Sequence, residues 1–308
     1  MEKINEEIEE INEEKFEIVG PNYKMHIPKQ KKLALWQRLK EKPIVSIVVL
    51  TIILLCCIFA EHLQNHDPKG FYLQNLNEAP SSVFFLGTDS LGRDIYSMIW
   101  YGGRVSIIIG ILSMMVITTI GVTYGCISGS ANTKVDGFMM RAAEIGNSIP
   151  TLLIILLLVS IMGKQNMIKI SFAIGVTGWF GLARIVRSEV RQIRNSEYVL
   201  ASRCMGADFL HLMMVHLIPN FVSVIMFVVI SSISTSMSME STLSFLGLGL
   251  PTDVISWGSM LSLANRALLT NTWWVIIIPG AFLIVTLMCI TNIGYFLRKE
   301  TNKMQNNL

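Results

Sequence analysis

Uncharged apolar runs set the rhythm of this chain. The first, Ile44–Ala60, reads IVSIVVLTIILLCCIFA without one charge, and Pro43 stands where a helix can start. Further runs cover about Val105–Ile127, Phe138–Met162, Ile170–Ile185, the stretch from Pro219 toward Phe245, and Trp273–Leu297. A helix crossing the bilayer core needs about 20 such residues, so the pattern predicts six crossings. The third run carries Arg141 and Glu144 in its first turns and Pro150 in its middle. The fourth is the weakest, with Gly175, Gly178 and Gly181 three apart, a spacing that lets membrane helices approach closely. Pro279 and Gly280 interrupt the sixth. The competing reading is a soluble all-helical protein with greasy cores. Its helices would need polar faces, and Ile44–Ala60 has almost none.

Six crossings leave both termini on one side. With the N-terminus inside, segments 1–43, 128–141, 184–219 and 298–308 are internal and hold 19 of the 25 lysines and arginines. That asymmetry predicts N-in and C-in. Trp273 and Trp274 then fall at the outer end of the sixth helix, where an interfacial aromatic belt sits. The organisation expected is an internal tail (1–43), a first span (44–60), an outer segment (61–104), a five-helix core (105–297) and an internal tail (298–308). Within the core, short internal helices fall at about 195–218 and an outer re-entrant segment at about 247–272. The acidic stretch Glu2–Glu14 has two readings: an amphipathic helix with Ile4, Ile8 and Ile11 on one side, or a disordered tail, which is preferred. A secretory signal is not expected, because the apolar core starts too late and no small-residue cleavage site follows.

Composition agrees with a membrane bundle. Apolar residues make up 52% of the 308 and charged residues 15%, against about 25% charged in soluble domains. The net charge of +3 is too small and too scattered for nucleic acid. Cys56, Cys57, Cys126, Cys204 and Cys289 form no CxxC pair and read as small hydrophobes.

The internal stretch from Trp179 to Asn220 is the most informative. Arg184, Arg187, Arg191 and Arg194 recur at three- and four-residue intervals and share one side of a helix leaving the bilayer. Anchoring to anionic lipid is the plain reading of these arginines. Glu197 to Met205 then predicts a short helix, Gly206 a tight turn in which a bulky side chain has no room, and Asp208 the start of a second helix to Leu217. Ile218-Pro219 should end it and open a new membrane helix. Tyr198, Leu200, Ala201, Met205, Phe209 and Leu210 are too apolar for a free loop and suggest a docking surface for another subunit.

Among the outer segments, GTDSLGRD places Asp89, Arg93 and Asp94 beside a membrane re-entry, with Gly87 and Gly92 marking turns. Two readings stand: an Asp–Arg network fixing the chain before the second span, or an anion or metal site. His62, His66 and Asp67 offer a weaker cation reading or plain solvation. Residues 244–274 are half apolar and broken by Gly247, Gly249, Pro251 and Gly258, which fits a re-entrant pair of short helices. No phosphate loop, HExxH or GxSxG occurs. Glu144 and Glu240 sit near helix ends, so no acidic group marks the midplane as in an ion-coupled carrier.

These motifs carry a resemblance. GTDSLGRD, EYVLASRCMGADFLHLMMVHLIPN and SFLGLGLP with SWGSML occur in family order. They resemble those of inner-membrane permease subunits of binding-protein-dependent ABC importers, and more narrowly the C-type subunit of the dipeptide/oligopeptide/nickel group. The likeness covers about residues 30–297. The family's coupling core falls on Leu200, Ala201, Ser202, Gly206, His216, Ile218 and Pro219, with Leu200 where the family has Glu and Ser202 where it has Ala. The tail after Asn292 lacks the family's acidic ending.

The resemblance implies an all-α type I permease fold and no catalytic, cofactor or metal site on this chain. It implies a heterodimer with a homologous permease, two cytoplasmic ATPases holding ATP and Mg, and an extracytoplasmic binding protein. Glu197, Tyr198, Ala207, Asp208, Phe209 and Leu210 would join the core residues and Met205 at the ATPase. Peptides are the preferred cargo, with nickel or a metal–chelator complex as runner-up. A membrane scaffold or receptor without transport is the alternative of another class.

Overall fold

A computed structural model describes residues 43–208, 211–251 and 253–305. The Glu2–Glu14 stretch lies outside them. Every regular element among them is helical, and one isolated bridge joins Thr88 to Asp94. Helix α1 (Ile44–Ile58) is followed by the single turn α2 (Ala60–Leu63). Helix α3 (Ile95–Ser130) has 36 residues, or about 54 Å at 1.5 Å each. It starts ten residues ahead of the expected Val105. Asp94 caps it by accepting from the Tyr96 and Ser97 amides. Gly102, Gly103 and Arg104, expected within the outer segment 61–104, are helical. Any Cβ at Gly103 would lie 2.6 Å from the Trp257 ring. Arg104 donates to the carbonyls of Cys57 and Ile58 at the end of α1.

The expected third span is two helices, α4 (Thr133–Ser148) and α5 (Thr151–Ile161), bent by 84°. Pro150 has no amide hydrogen, and it holds Ile149 in extended backbone at φ −84°, ψ 132°. The fourth is likewise bent, by 47°, into α6 (Met167–Gly178) and α7 (Phe180–Ile193). Helix α8 (Glu197–Cys204) precedes a widened π-helical turn, Leu212–Leu217, which runs straight into α9 (Ile218–Phe245).

That continuity corrects the expected break at Ile218-Pro219. The Ile218 amide bonds to the Met213 carbonyl five residues back, and the Asn220 side chain donates to the His216 carbonyl. The wider turn accommodates a proline that an α-helical interior would reject. Two short helices, α10 (Trp257–Leu261) and α11 (Ala264–Leu269), then lead to α12 (Trp274–Gln305).

Helix α3, the stretch Leu212–Phe245 and α12 are long and apolar enough to cross a membrane, and five spans result if each bent pair counts as one. Helix α1 is shorter. Helix α3 packs against α6, α7 and α9. Gly121, Gly125 and Gly129 recur every four residues toward α7. A Cβ on them would lie 2.9 Å from Leu182, 2.6 Å from the Ala183 carbonyl oxygen and 2.8 Å from Val190. Of the expected Gly175/Gly178/Gly181 stripe, the first two are pressed on Val116 and Ile117, while Gly181 faces open space.

Candidate functional site

Two groups of residues singled out by sequence lie near opposite ends of α3. The first begins with α7. Its apolar side, Leu182, Ala183, Val186 and Val190, is buried. Three of its four arginines turn to protein rather than lipid. Arg187 grips Asp136 through Nε–Oδ1 and Nη2–Oδ2 contacts of 2.5 Å each, and Arg191 adds a third at 2.5 Å. Ser128 donates to the same carboxylate at 2.6 Å. Arg194 donates to the carbonyls of Gly129 and Ala131 at the end of α3. The Arg187 hydrogen bond brings the Asp136 carboxyl down to about 2, and the same bond raises the Arg187 guanidinium. Arg184 is exposed. Asp136 went unnoticed in the sequence because a single acid in a polar linker has no local signature.

Helix α8 follows after three residues. Its Val199 and Ser202 are buried while Glu197, Tyr198, Leu200 and Ala201 are exposed. Met205 is 82% exposed. The helix ends with Gly206 at φ +87°, its amide bonded to the Arg203 carbonyl and that of Ala207 to Ser202. This paired closure needs a left-handed residue. A Cβ at Gly206 meets nothing within 4 Å, so the expected lack of room is corrected: backbone conformation selects glycine here. Asp208 accepts from the His211 amide through its side chain and from Leu212 through its carbonyl, opening the next helical turn. The His216 ring lies 5.8 Å from Tyr198 and 6.1 Å from His211. Pro219 is exposed. Phe209 and Leu210 lie outside the described residues. Tyr198, Leu200, Met205, Met214 and Val215 thus offer a run of exposed apolar side chains.

The second group is the Gly87–Asp94 turn. Asp89 is 1% exposed. Its Oδ1 accepts from the Leu91 and Arg93 amides, and its Oδ2 takes Arg93 Nε at 2.8 Å. Gly87 and Gly92 have φ of +78° and +74°. A Cβ at Gly87 would lie 2.6 Å from the Glu78 carbonyl oxygen, and one at Gly92 would overlap the Tyr72 carbonyl. Asp94 is fully buried and accepts from the Ser97 hydroxyl at 2.6 Å. The Asp–Arg network reading therefore describes the geometry. His66 stacks on Phe84 and lies 3.7 Å from Asp94. Among the described residues no three His, Cys, Asp or Glu side chains converge as a metal site would require.

Trp274 departs from its expected place in an aromatic belt. It is buried, and its Nε1 donates to the Thr88 carbonyl. The sequence pattern places Glu240 near a helix end. It is fully buried and accepts from the hydroxyls of Ser244 and Ser256 at 2.8 Å each, which ties the 247–272 segment to α9.

Described residues that fold only into helices, with several apolar spans, a buried polar turn and an exposed apolar elbow, have the build of a multi-pass membrane transport component. Residues 121–301 match the family of binding-protein-dependent transport system inner membrane components, and the chain belongs to that family. It is thus a permease component of an ABC importer, a multi-pass inner-membrane protein and not an enzyme. The match spans the α8 elbow and begins after the Gly87–Asp94 turn. The chain is 36% identical to the oligopeptide transport system permease protein OppC of Bacillus subtilis over 87% of its own length and 90% of that protein. It is 34% identical to the dipeptide transport system permease protein DppC of the same organism, over 84% and 81%. It is 32% identical to OppC of Escherichia coli, over 86% and 90%.

Proposed function

We propose that this chain forms one half of the pathway of an ATP-driven importer of dipeptides or oligopeptides. It crosses the membrane six times with both termini in the cytosol, through α1, α3, α5 with the end of α4, α6 with the start of α7, α9 and α12, leaving residues 128–141 and 184–219 on the cytosolic side. A homologous permease subunit supplies the other half. An extracytoplasmic binding protein delivers the peptide, and two cytoplasmic ATPases, holding ATP and Mg, drive the cycle. The exposed apolar elbow carries this reading. Short helix α8 buries Val199 and Ser202 against its own chain and leaves Tyr198, Leu200, Ala201 and Met205 for a partner. Glu197, Ser202, Gly206, Ala207, Asp208, His216 and Pro219 shape or flank that surface. Leu200 adds an apolar contact where a carboxylate would stand in the wider family.

On the other face, Gly87, Asp89, Gly92, Arg93 and Asp94 form the turn that fixes α3 beneath the binding protein. Closure of the ATPases would push the elbow and rock the bundle between outward- and inward-open states. The peptide cargo is supported by the names of the relatives together with their coverage of most of the chain. The test is to purify the chain with its neighbouring subunits, reconstitute it, and measure binding-protein-stimulated ATP hydrolysis with and without a labelled tripeptide. Stimulation by the peptide-loaded binding protein is expected. Labelling of Ala207→Cys only from outside intact cells would put the elbow on the wrong face and overturn the reading.

A further inference from the structure

The α7–α3 contact raises a mechanical question. The glycine stripe Gly121, Gly125 and Gly129 brings α7 against the backbone of α3. Small residues facing Leu182, Val186 and Val190 give closeness but little resistance to sliding along the axis. A shift of one turn is about 5.4 Å and would leave that apolar contact largely intact. Axial register must come from directional bonds.

Asp136 supplies them. It lies just past the end of α3, in the first turn of α4, and its side chain is 3% exposed. Arg187 meets it in a two-point fork, Arg191 adds a third contact, and Ser128 of α3 closes the cage. One helical turn further along α7, Arg194 binds the terminal carbonyls Gly129 and Ala131. Those carbonyls have no partner within their own helix, and the helix C-terminus favours a cation. The forked pair has fixed geometry. A buried carboxylate pulled from its guanidinium is strongly disfavoured, so the joint resists gradual stretching. On its far side α7 reaches α8 through a hydrogen-bonded link: Arg194 to Val190, Ser196 to Ile193 and Val199 to Ser196.

We propose that Asp136 is a positioning residue that locks α7 to the α3–α4 corner, so that displacement of the α8 elbow moves α3 as one lever. This rests on the reading of the elbow as the ATPase contact. Anchoring to lipid headgroups would instead require these arginines to be free, and three of the four are engaged by protein.

The test uses the whole transporter, with partner permease, ATPases and binding protein, in proteoliposomes. ATP hydrolysis and uptake of a labelled tripeptide are measured together. Asp136→Asn should lower uptake per ATP by about tenfold while the ATPases still co-purify, and Asp136→Glu, which keeps the charge, should restore most of it. Uptake and hydrolysis falling in equal proportion would mark a purely structural residue and overturn the proposal, as would an unchanged ratio. Should Asp136→Asn fail to accumulate, Arg187→Lys decides: it keeps the charge and loses the fork, and an unaltered ratio again overturns the lever. Failure of the elbow reading is distinguishable, because the parent complex itself would then lack co-purifying ATPase.

Discussion

Removing the carboxylate of Asp89 should loosen the whole entry to α3. In Asp89→Ala three donors lose their acceptor: the Leu91 and Arg93 amides and the Arg93 guanidinium, at 2.8, 2.9 and 2.8 Å. Arg93 is only 11% exposed along its side chain, so water does not easily replace the lost partner. Taking one member from a buried pair costs about 3–5 kcal/mol. Asp89→Asn keeps an acceptor oxygen for the amides and loses the charge, so about 1.5–3 kcal/mol is expected. For a chain of this size each kcal/mol moves the melting point by about 2–4 °C, so Asp89→Ala should melt about 10 °C lower. Arg93→Ala completes a double-mutant cycle, in which the double variant should be less unstable than the sum of the singles by about 0.5–3 kcal/mol. Thermal unfolding of the detergent-purified protein reads all four forms. The reasoning is refuted if Asp89→Ala melts within about 2 °C of the parent, or if the two single losses simply add.

Acid should weaken the corner at Asp136. Its carboxyl is lowered from 3.8 to about 2, so its contribution is complete above pH 4 and fades as pH falls toward 2. Allowing for water around the half-exposed arginines, about 1–2 kcal/mol is at stake; melting points across that window should fall more steeply for the parent than for Asp136→Asn. Trp257→Ala empties a site that is 0% exposed and should be destabilising by about 3–5 kcal/mol, with Trp257→Phe milder, as calorimetry in detergent can check. At Gly206, with its φ of +87°, Gly206→Val should cost about 1–2 kcal/mol and reduce ATPase co-purification, while Gly206→Asn should be better tolerated.

The apolar runs made most of the helices legible, since lack of charge over 15 or more residues leaves few alternatives to burial. Gly206 is legible as a break because its backbone limit is local, whereas Pro150 reads as an interior residue of one span and the 84° bend there does not follow from the sequence pattern. The start of α3 was not legible: Gly102, Gly103 and Arg104 count with the outer segment until Trp257 and the end of α1 close around them. Pro219 misled for a similar reason, since a widened helical turn depends on long-range packing that no dipeptide reveals. The outer motif could be read as an Asp–Arg network because Asp89 and Arg93 are four apart. The Asp136 cage could not, because its forked partner Arg187 is 51 residues away. Glu240 hid among serines whose hydroxyls turn out to surround it.

The bond from Trp274 to Thr88 spans 186 residues of sequence. During synthesis the early turn therefore waits, one carbonyl still seeking its indole, until nearly the whole polypeptide has left the ribosome. A nascent chain halted before its final helix would lack this bond and leave the Thr88 carbonyl without its indole donor.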